Sequence, residues 1–382
     1  MDNIAGQKST LTWAVHLSVL ALVALWLFPT VGLFVSSFRT TDQIVTGGWW
    51  KSLFPSEQNL TIRADSPENQ IEVGGLFVIE GELFDADQEF EVLVWGVSSR
   101  AIDAYVPGET GELSKGGTVT VSTEGHYRLE NTEPFKGSRG QRIFATAVTP
   151  PEFTFNNYKT VLFTGATSES MGSAFLNTLT VTIPATIIPI LVAAFAAYAL
   201  AWMDFPGRAL LIAIVVGLLV VPLQLALIPL LKLHLAIGIG KGYLGVWMAH
   251  TGFGLPLAIY LLRNYMVGLP KDIIENARVD GATDFQIFVK LILPLSFPAL
   301  ASFAIFQFLW TWNDLLVAKV FLIDATGQTT VMTNRIVEML GTRGGNWEIL
   351  ATAAFVSISV PLIVFFALQK YLVRGLLAGS VK

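Results

Sequence analysis

The residues able to do chemistry in this chain are few and unusually placed. Glu275, Asp280 and Asp284 fall in ENARVDGATDFQIFVKLILP (275–294), a polar stretch wedged between apolar runs. Around it Arg263, Lys271, Arg278 and Lys290 balance Asp272, Glu275, Asp280 and Asp284. Such neutrality speaks against a basic patch for anionic lipid. Within or at the ends of apolar runs lie Asn177, Gln224, His250, Gln307, Asn313 and Asp314. Polar groups there are costly and often face a cavity. They also serve as interhelical hydrogen bonds worth under ~2 kcal/mol each, and for Asn177 and Gln307 both possibilities stand open.

Nothing in the chain forms a catalytic constellation. Cysteine is absent, which excludes thiol catalysis, Cys-based metal sites and disulfides. The histidines (His16, His126, His234, His250) are scattered, and neither H-E-x-x-H nor G-x-S-x-G occurs. The nearest approach to a phosphate-binding loop, GIGKGY (238–243), has the wrong spacing. Neither an enzyme nor a cofactor is expected, and without a strongly basic tract no nucleic acid either.

The elements that hold these residues can be read from charge. Of 382 residues 53% are hydrophobic and only 14% charged, against roughly 25% charged in soluble domains. Six windows contain no Asp, Glu, Lys or Arg: between Lys8 and Arg39, Glu169 and Asp204, Arg208 and Lys232, Lys241 and Arg263, Lys290 and Asp314, and Glu348 and Lys370. Each is at least 21 residues long, and about 20 apolar residues cross a bilayer as a helix. An all-α polytopic membrane protein with six transmembrane helices follows. The first window is too long and too rich in Leu, Trp and Phe for a cleaved signal, while Pro184, Pro189, Pro222, Pro229 and Pro256 predict kinks. Lys and Arg in short segments number nine on one side (Lys8, Arg208, Arg263, Lys271, Arg278, Lys290, Lys370, Arg374, Lys382) and five on the other. The richer side should be cytoplasmic, with both termini inside.

Residues 39–170 differ, with 19 acidic and 10 basic side chains and many Gly and Pro turns. GLFVIEGELF, FEVLVWGV and GTVTVSTEGHYRLE alternate as strands do. A small acidic β-rich domain, a sandwich or barrel inserted between helices 1 and 2, is expected outside the membrane. It would stabilise a loop or dock a partner in preference to acting as a sugar-binding module, with His126 a surface residue. The domain plan is therefore 1–38, 39–170 and 171–382.

The polar stretch has its own grammar. Pro270 suits a helix start and Asp272 the positive end of its dipole. Ile273, Ile274 and Ala277 form an apolar stripe, and Gly281 ends the helix as a C′ residue. Thr283 and Gln286 make a capping-box pattern, after which Phe285, Phe288, Val289 and Ile292 run into Leu293–Pro294, giving a second helix continuous with the fifth span. A surface helix exposing apolar and charged groups can fit a groove on a soluble partner or rest on headgroups.

The stretch resembles the EAA loop of bacterial ABC importer membrane subunits. Glu275, Asn276 and Ala277 fill the triplet, Gly281 the glycine, Leu291 the Ile position, and Leu293 and Pro294 the close. Asn276 and Leu291 depart mildly from the pattern. NTLTVTIPATIIPILVAAFAAYALAWMDFPGR, FLWTWND and GLLAGSVK are similar to the second permease subunit of maltose-type sugar importers, over the first span and about 150–382. The large outside segment resembles the α-glucoside-transporter branch. The resemblance implies a type I importer permease fold in the cell inner membrane. It also implies a loop at 268–294 seated in an ABC ATPase dimer, with Glu275 and Asp280 in polar contact and Gly281 permitting the turn. ATP hydrolysis would sit on that partner. A second permease subunit and a periplasmic sugar-binding protein, touching about 323–348, complete the implied assembly. The tail 379–382 would reach the ATPase interface, and Asn313 and Asp314, in the family's W-N-D/E-F pattern, would be structural. Maltose, sucrose or trehalose are the implied substrates, with Asn177, Gln224 and Gln307 the weaker substrate-pathway candidates. An ion-coupled secondary transporter would instead need carboxylates deep in the spans. A membrane-anchored docking or sensory protein would use the β domain and would not need six spans.

Overall fold

The computed structural model describes residues 10–84, 90–114, 116–164, 170–323, 326–342 and 345–377. They fall into two compact units: residues up to Tyr158 with 345–352, and 159–344 with the remainder.

In the first unit α1 (Thr10–Ser36) carries 27 residues without a charge, and its side chains face outward, Trp26 being 81% exposed. A short capped helix, α2 (Thr41–Thr46), follows. Eight strands come next: β1 (Ser56–Arg63), β2 (Ile71–Val73), β3 (Leu76–Glu82), β4 (Glu91–Gly96), β5 (Thr110–Glu112), β6 (Thr118–Val121), β7 (His126–Asn131) and β8 (Arg142–Thr149). They pair antiparallel into a three-stranded sheet, β1-β8-β4, and a five-stranded sheet, β2-β3-β7-β6-β5. Alternation turns one face of each inward. Val92, Trp95, Ile143, Ala145 and Ala147 from the first meet Ile79, Val119, Val121, Tyr127 and Leu129 from the second in one core. This is a β-sandwich.

The three expected segments land on β3, β4 and the β6–β7 hairpin. Strand β8 escaped because alanine, poorly represented in strands, fills two of its inward positions. The two ends of the insertion are fastened together. Asn157 Nδ2 donates to the Ser37 and Arg39 carbonyls at 3.0 and 2.9 Å, Tyr158 and Ser37 hydroxyls lie 2.7 Å apart, and the Thr154 N–H reaches the Phe38 carbonyl at 2.7 Å.

The second unit is helical: α3 (Asn156–Phe163, entering from the first), α4 (Met171–Trp202), α5 (Arg208–Leu218), α6 (Leu223–Ala236), α7 (Tyr243–Val267), α8 (Lys271–Val279), α9 (Asp284–Ile287), α10 (Leu293–Leu295), α11 (Phe297–Trp312), α12 (Leu316–Phe321), α13 (Met332–Thr342) and α14 (Trp347–Leu377). One core joins Ala193, Ala194, Ala197 and Ala201 of α4 to Ala258, Leu262 and Met266 of α7. Small residues let these backbones approach.

Among the described residues four helices are long and apolar enough to span a membrane, or up to six if each bent pair is one span. The bent pairs correct two expectations. The third window is not one helix: α5 and α6 meet at 112°, where Pro222 cannot donate to the Leu218 carbonyl. Nor does the second helix of the polar stretch run straight into the fifth apolar run. Asp284–Leu295 and Phe297–Trp312 meet at 70°, because Pro294 and Pro298 remove donors to Lys290 and Pro294.

Candidate functional site

Helix α8 begins after Pro270 with Asp272 in its first turn, and ends as the sequence expects. Gly281 lies at φ +81, its N–H donates to the Arg278 carbonyl, and the Ala282 N–H donates to the Ala277 carbonyl, each at 3.0 Å. These two bonds make a Schellman turn, which needs a left-handed residue at C′. The chain restarts at once with both capping-box bonds present, Gln286 N–H to Thr283 Oγ1 at 3.3 Å and Thr283 N–H to Gln286 Oε1 at 2.9 Å. A π-helical turn, Phe288–Ile292, then leads to α10.

One face of α8 is spent on packing. Ile274, 1% exposed, enters the core with Ala197, Tyr198, Met266 and Ile287. Burying it stabilises the elbow by about 1.5–3 kcal/mol. The opposite face stays open: Asp272, Glu275, Asn276 and Val279 share it at helical spacing, with Asp280 beside them. All are exposed, Val279 by 86%. Ala277 and Leu293 are half-buried, and Pro294 is exposed.

Sequence reasoning missed how the elbow is tied down. Arg278 Nη2 lies 3.3 Å from Asp284 Oδ1 and 3.4 Å from the Trp202 carbonyl, and the Tyr198 hydroxyl donates to the same Asp284 oxygen at 3.2 Å. Arg208, counted only as an orientation charge, caps α4. Its guanidinium donates to the Leu200, Ala201 and Met203 carbonyls at 2.9, 3.0 and 3.1 Å. Only tertiary proximity announces these roles, apart from the basic residue just past a helix end.

The polar residues of the apolar runs do not form one site. Asn177 Nδ2 donates to the Gln328 and Thr330 carbonyls at 2.7 and 3.0 Å, and its Oδ1 accepts from Tyr243 at 2.8 Å. That is a staple with its bonding largely used. Gln224 is exposed in the first turn of α6. Gln307, 1% exposed, donates to the Ala185 and His250 carbonyls at 3.1 and 3.4 Å. Asp314 accepts from the Val317 and Ala318 N–H groups at 3.3 and 2.9 Å, capping α12, with His250 Nε2 at 3.7 Å. Asn313 donates to the Leu309 carbonyl at 2.9 Å. Gln307 Oε1, His250 Nε2 and the hydroxyls of Thr182, Thr186 and Thr311 are buried without a hydrogen bond. The tail 379–382 lies outside the described residues, as do 324–325 and 343–344 of the 323–348 segment.

Residues 172–377 match the family described as binding-protein-dependent transport system inner membrane component. The chain belongs to this family. It is therefore a multi-pass inner-membrane transport component, not an enzyme. It is 61% identical over 382 residues to the alpha-glucoside transport system permease protein AglG of Rhizobium meliloti (strain 1021), covering 99% of each, so that match runs through the β-rich insertion. It is 58% identical over 231 residues to the osmoprotective compounds uptake permease protein GgtD of Synechocystis, covering 60% of this chain and 76% of that one. Among solved structures, a bacterial ABC transporter that imports the acidic polysaccharide alginate is 24% identical, with a TM-score of 0.48 over 59% of this chain and 81% of that one.

Proposed function

We propose that this chain is one permease subunit of an ATP-driven importer of α-glucosides, of the maltose, sucrose and trehalose type. The observation that carries the substrate class is the similarity to AglG over the whole length, insertion included. Six spans with both termini in the cytoplasm, each bent pair counting as one, leave residues 39–170 in the periplasm and 268–294 in the cytoplasm. The partners are a second permease subunit, an ABC ATPase dimer and a periplasmic sugar-binding protein.

Coupling runs through α8. Its open face, Glu275, Asn276, Val279 and Asp280, seats in a cleft of the ATPase, where the carboxylates make polar contacts and Val279 is buried. When the ATPase dimer closes, α8 moves as a rigid piece, since Gly281 and the capping box fix its angle to the next helix. Motion then leaves along two routes. The Arg278–Asp284–Tyr198 bridge carries it to the end of α4, and the π turn carries it to α11. Rigid-body repacking of this kind is how packed helices switch access. Asn177 and Asp314 hold helices in place, and Gln307 is the remaining candidate for the substrate path.

The test is reconstitution with the partner subunits in proteoliposomes and measurement of labelled maltose, sucrose and trehalose uptake. Uptake should require ATP. Uptake driven by an ion gradient alone would instead make the chain a secondary transporter. The chain has no cysteine, so Glu275→Cys adds a unique thiol, which should cross-link to a single-cysteine ATPase. A thiol reached only by lipid-soluble reagents would remove the coupling role.

A further inference from the structure

The β-sandwich contains an open cleft of about 690 Å³ at one end, a size usual for small-ligand sites. Its charge is opposite to that of its surroundings. Residues 39–170 hold 19 acidic and 10 basic side chains, yet Arg63, Lys136, Arg139 and Arg142 line the cleft with Glu133 as the one carboxylate. Arg63 and Arg142 stand directly opposite one another on β1 and β8, and like charges so placed destabilise a ladder. The fold does neutralise an arginine elsewhere, because Arg128 meets both Glu80 and Glu130 at 2.6 Å. Among the described residues no carboxylate pairs with any of the four cleft cations.

The floor is firm and mixed in character. Both backbone groups of Phe135 are held by the Gln70 amide, at 2.8 and 3.4 Å, which fixes the loop that carries Lys136. Phe135 and Phe144 give the cleft apolar faces, and Asn131 and Gln141 give it amides. Arg63 Nη1 spends one bond on the Gly140 carbonyl at 3.4 Å. Aromatic faces with amides suit sugar rings, whereas guanidinium forks without a carboxylate partner suit an incoming carboxylate.

We propose that this cleft binds an acidic oligosaccharide, one carrying carboxylates on successive rings, at a site separate from the translocation path. The experiment uses the full chain in nanodiscs, titrated calorimetrically with tetragalacturonate, uncharged maltotetraose, inorganic phosphate and a poly-glutamate peptide. Tetragalacturonate should bind, more weakly as salt rises. R63Q and R142Q should each weaken it about tenfold, as expected for loss of a charge-assisted fork. K51Q, an equal change of charge at an exposed residue outside the cleft lining, should not. The melting temperature of R142Q should hold or rise, since a like-charge contact is removed. Equal binding of maltotetraose, or indifference to R63Q and R142Q, overturns the proposal. Displacement by phosphate at similar concentration shows an adventitious anion patch and also overturns it, as does tighter binding of the peptide, which would make the cleft a protein-docking surface.

Discussion

Replacing Gly281 isolates the geometry of the elbow from its packing. The residue sits at φ +81, and a Cβ built there meets nothing within 4 Å. No clash is added, so the cost is backbone alone. A left-handed conformation costs an ordinary L-residue roughly 1–2 kcal/mol, asparagine less and a β-branched residue more. That range lowers the population of the intact turn by about 5–30-fold, and the Gly281–Arg278 and Ala282–Ala277 bonds go with it. ATP-dependent uptake in proteoliposomes should fall in the order Gly, Asn, Ala, Val, with Gly281→Val near the far end of that range. Reconstituted amount and melting temperature are followed in parallel. Expression should hold, because neither neighbouring helix depends on this residue for its core. Equal uptake by Gly281→Val and Gly281→Asn would refute the lever, and so would a loss no larger than the loss of folded protein.

Deletion of residues 60–145 should leave ATPase association intact, measured by co-purification; loss of that association would show that the sandwich supports the α8 site. Arg208→Ala strips three carbonyls at the end of α4 of a charged donor. It should cost about 1.5–3 kcal/mol in detergent melts, and Arg208→Lys should not restore it because lysine lacks the fork. Trp95 is fully buried and its Nε1 donates to the Val106 carbonyl at 3.1 Å, so Trp95→Ala should cost about 3–5 kcal/mol, and protease resistance of the sandwich unlike wild type would be seen in limited digestion. Burial pushes the Tyr127 hydroxyl above its ordinary 10.0. The folded state therefore holds this proton more tightly, and the stability it gives is complete below pH 10 and lost as pH rises further. Tyr127→Phe should flatten the alkaline limb of melting temperature against pH; an unchanged limb would clear Tyr127 of any part in it.

The elbow was legible because its signals are local. Proline at the start, glycine at C′ and a Thr–Gln capping box each act within a few residues, and the backbone bonds they imply are all present. The apolar windows were legible for the same reason, since length without charge is a property of a segment. The bends were less so: proline marks where a rung is lost, but packing sets whether 112° or a gentle kink follows.

Composition and spacing by themselves thus determined a polytopic membrane protein with an acidic β-rich segment and a polar elbow turned at a glycine, and the family resemblance added transport. Tertiary structure alone decided that Asn177 is a staple, that Arg278, Asp284 and Tyr198 tie the elbow to α4, and that four scattered cations converge on one cleft. Those facts depend on partners up to 86 residues apart in the tie to α4 and 153 at Asn177, and no periodicity along a chain records which distant carbonyl or carboxylate a side chain will meet.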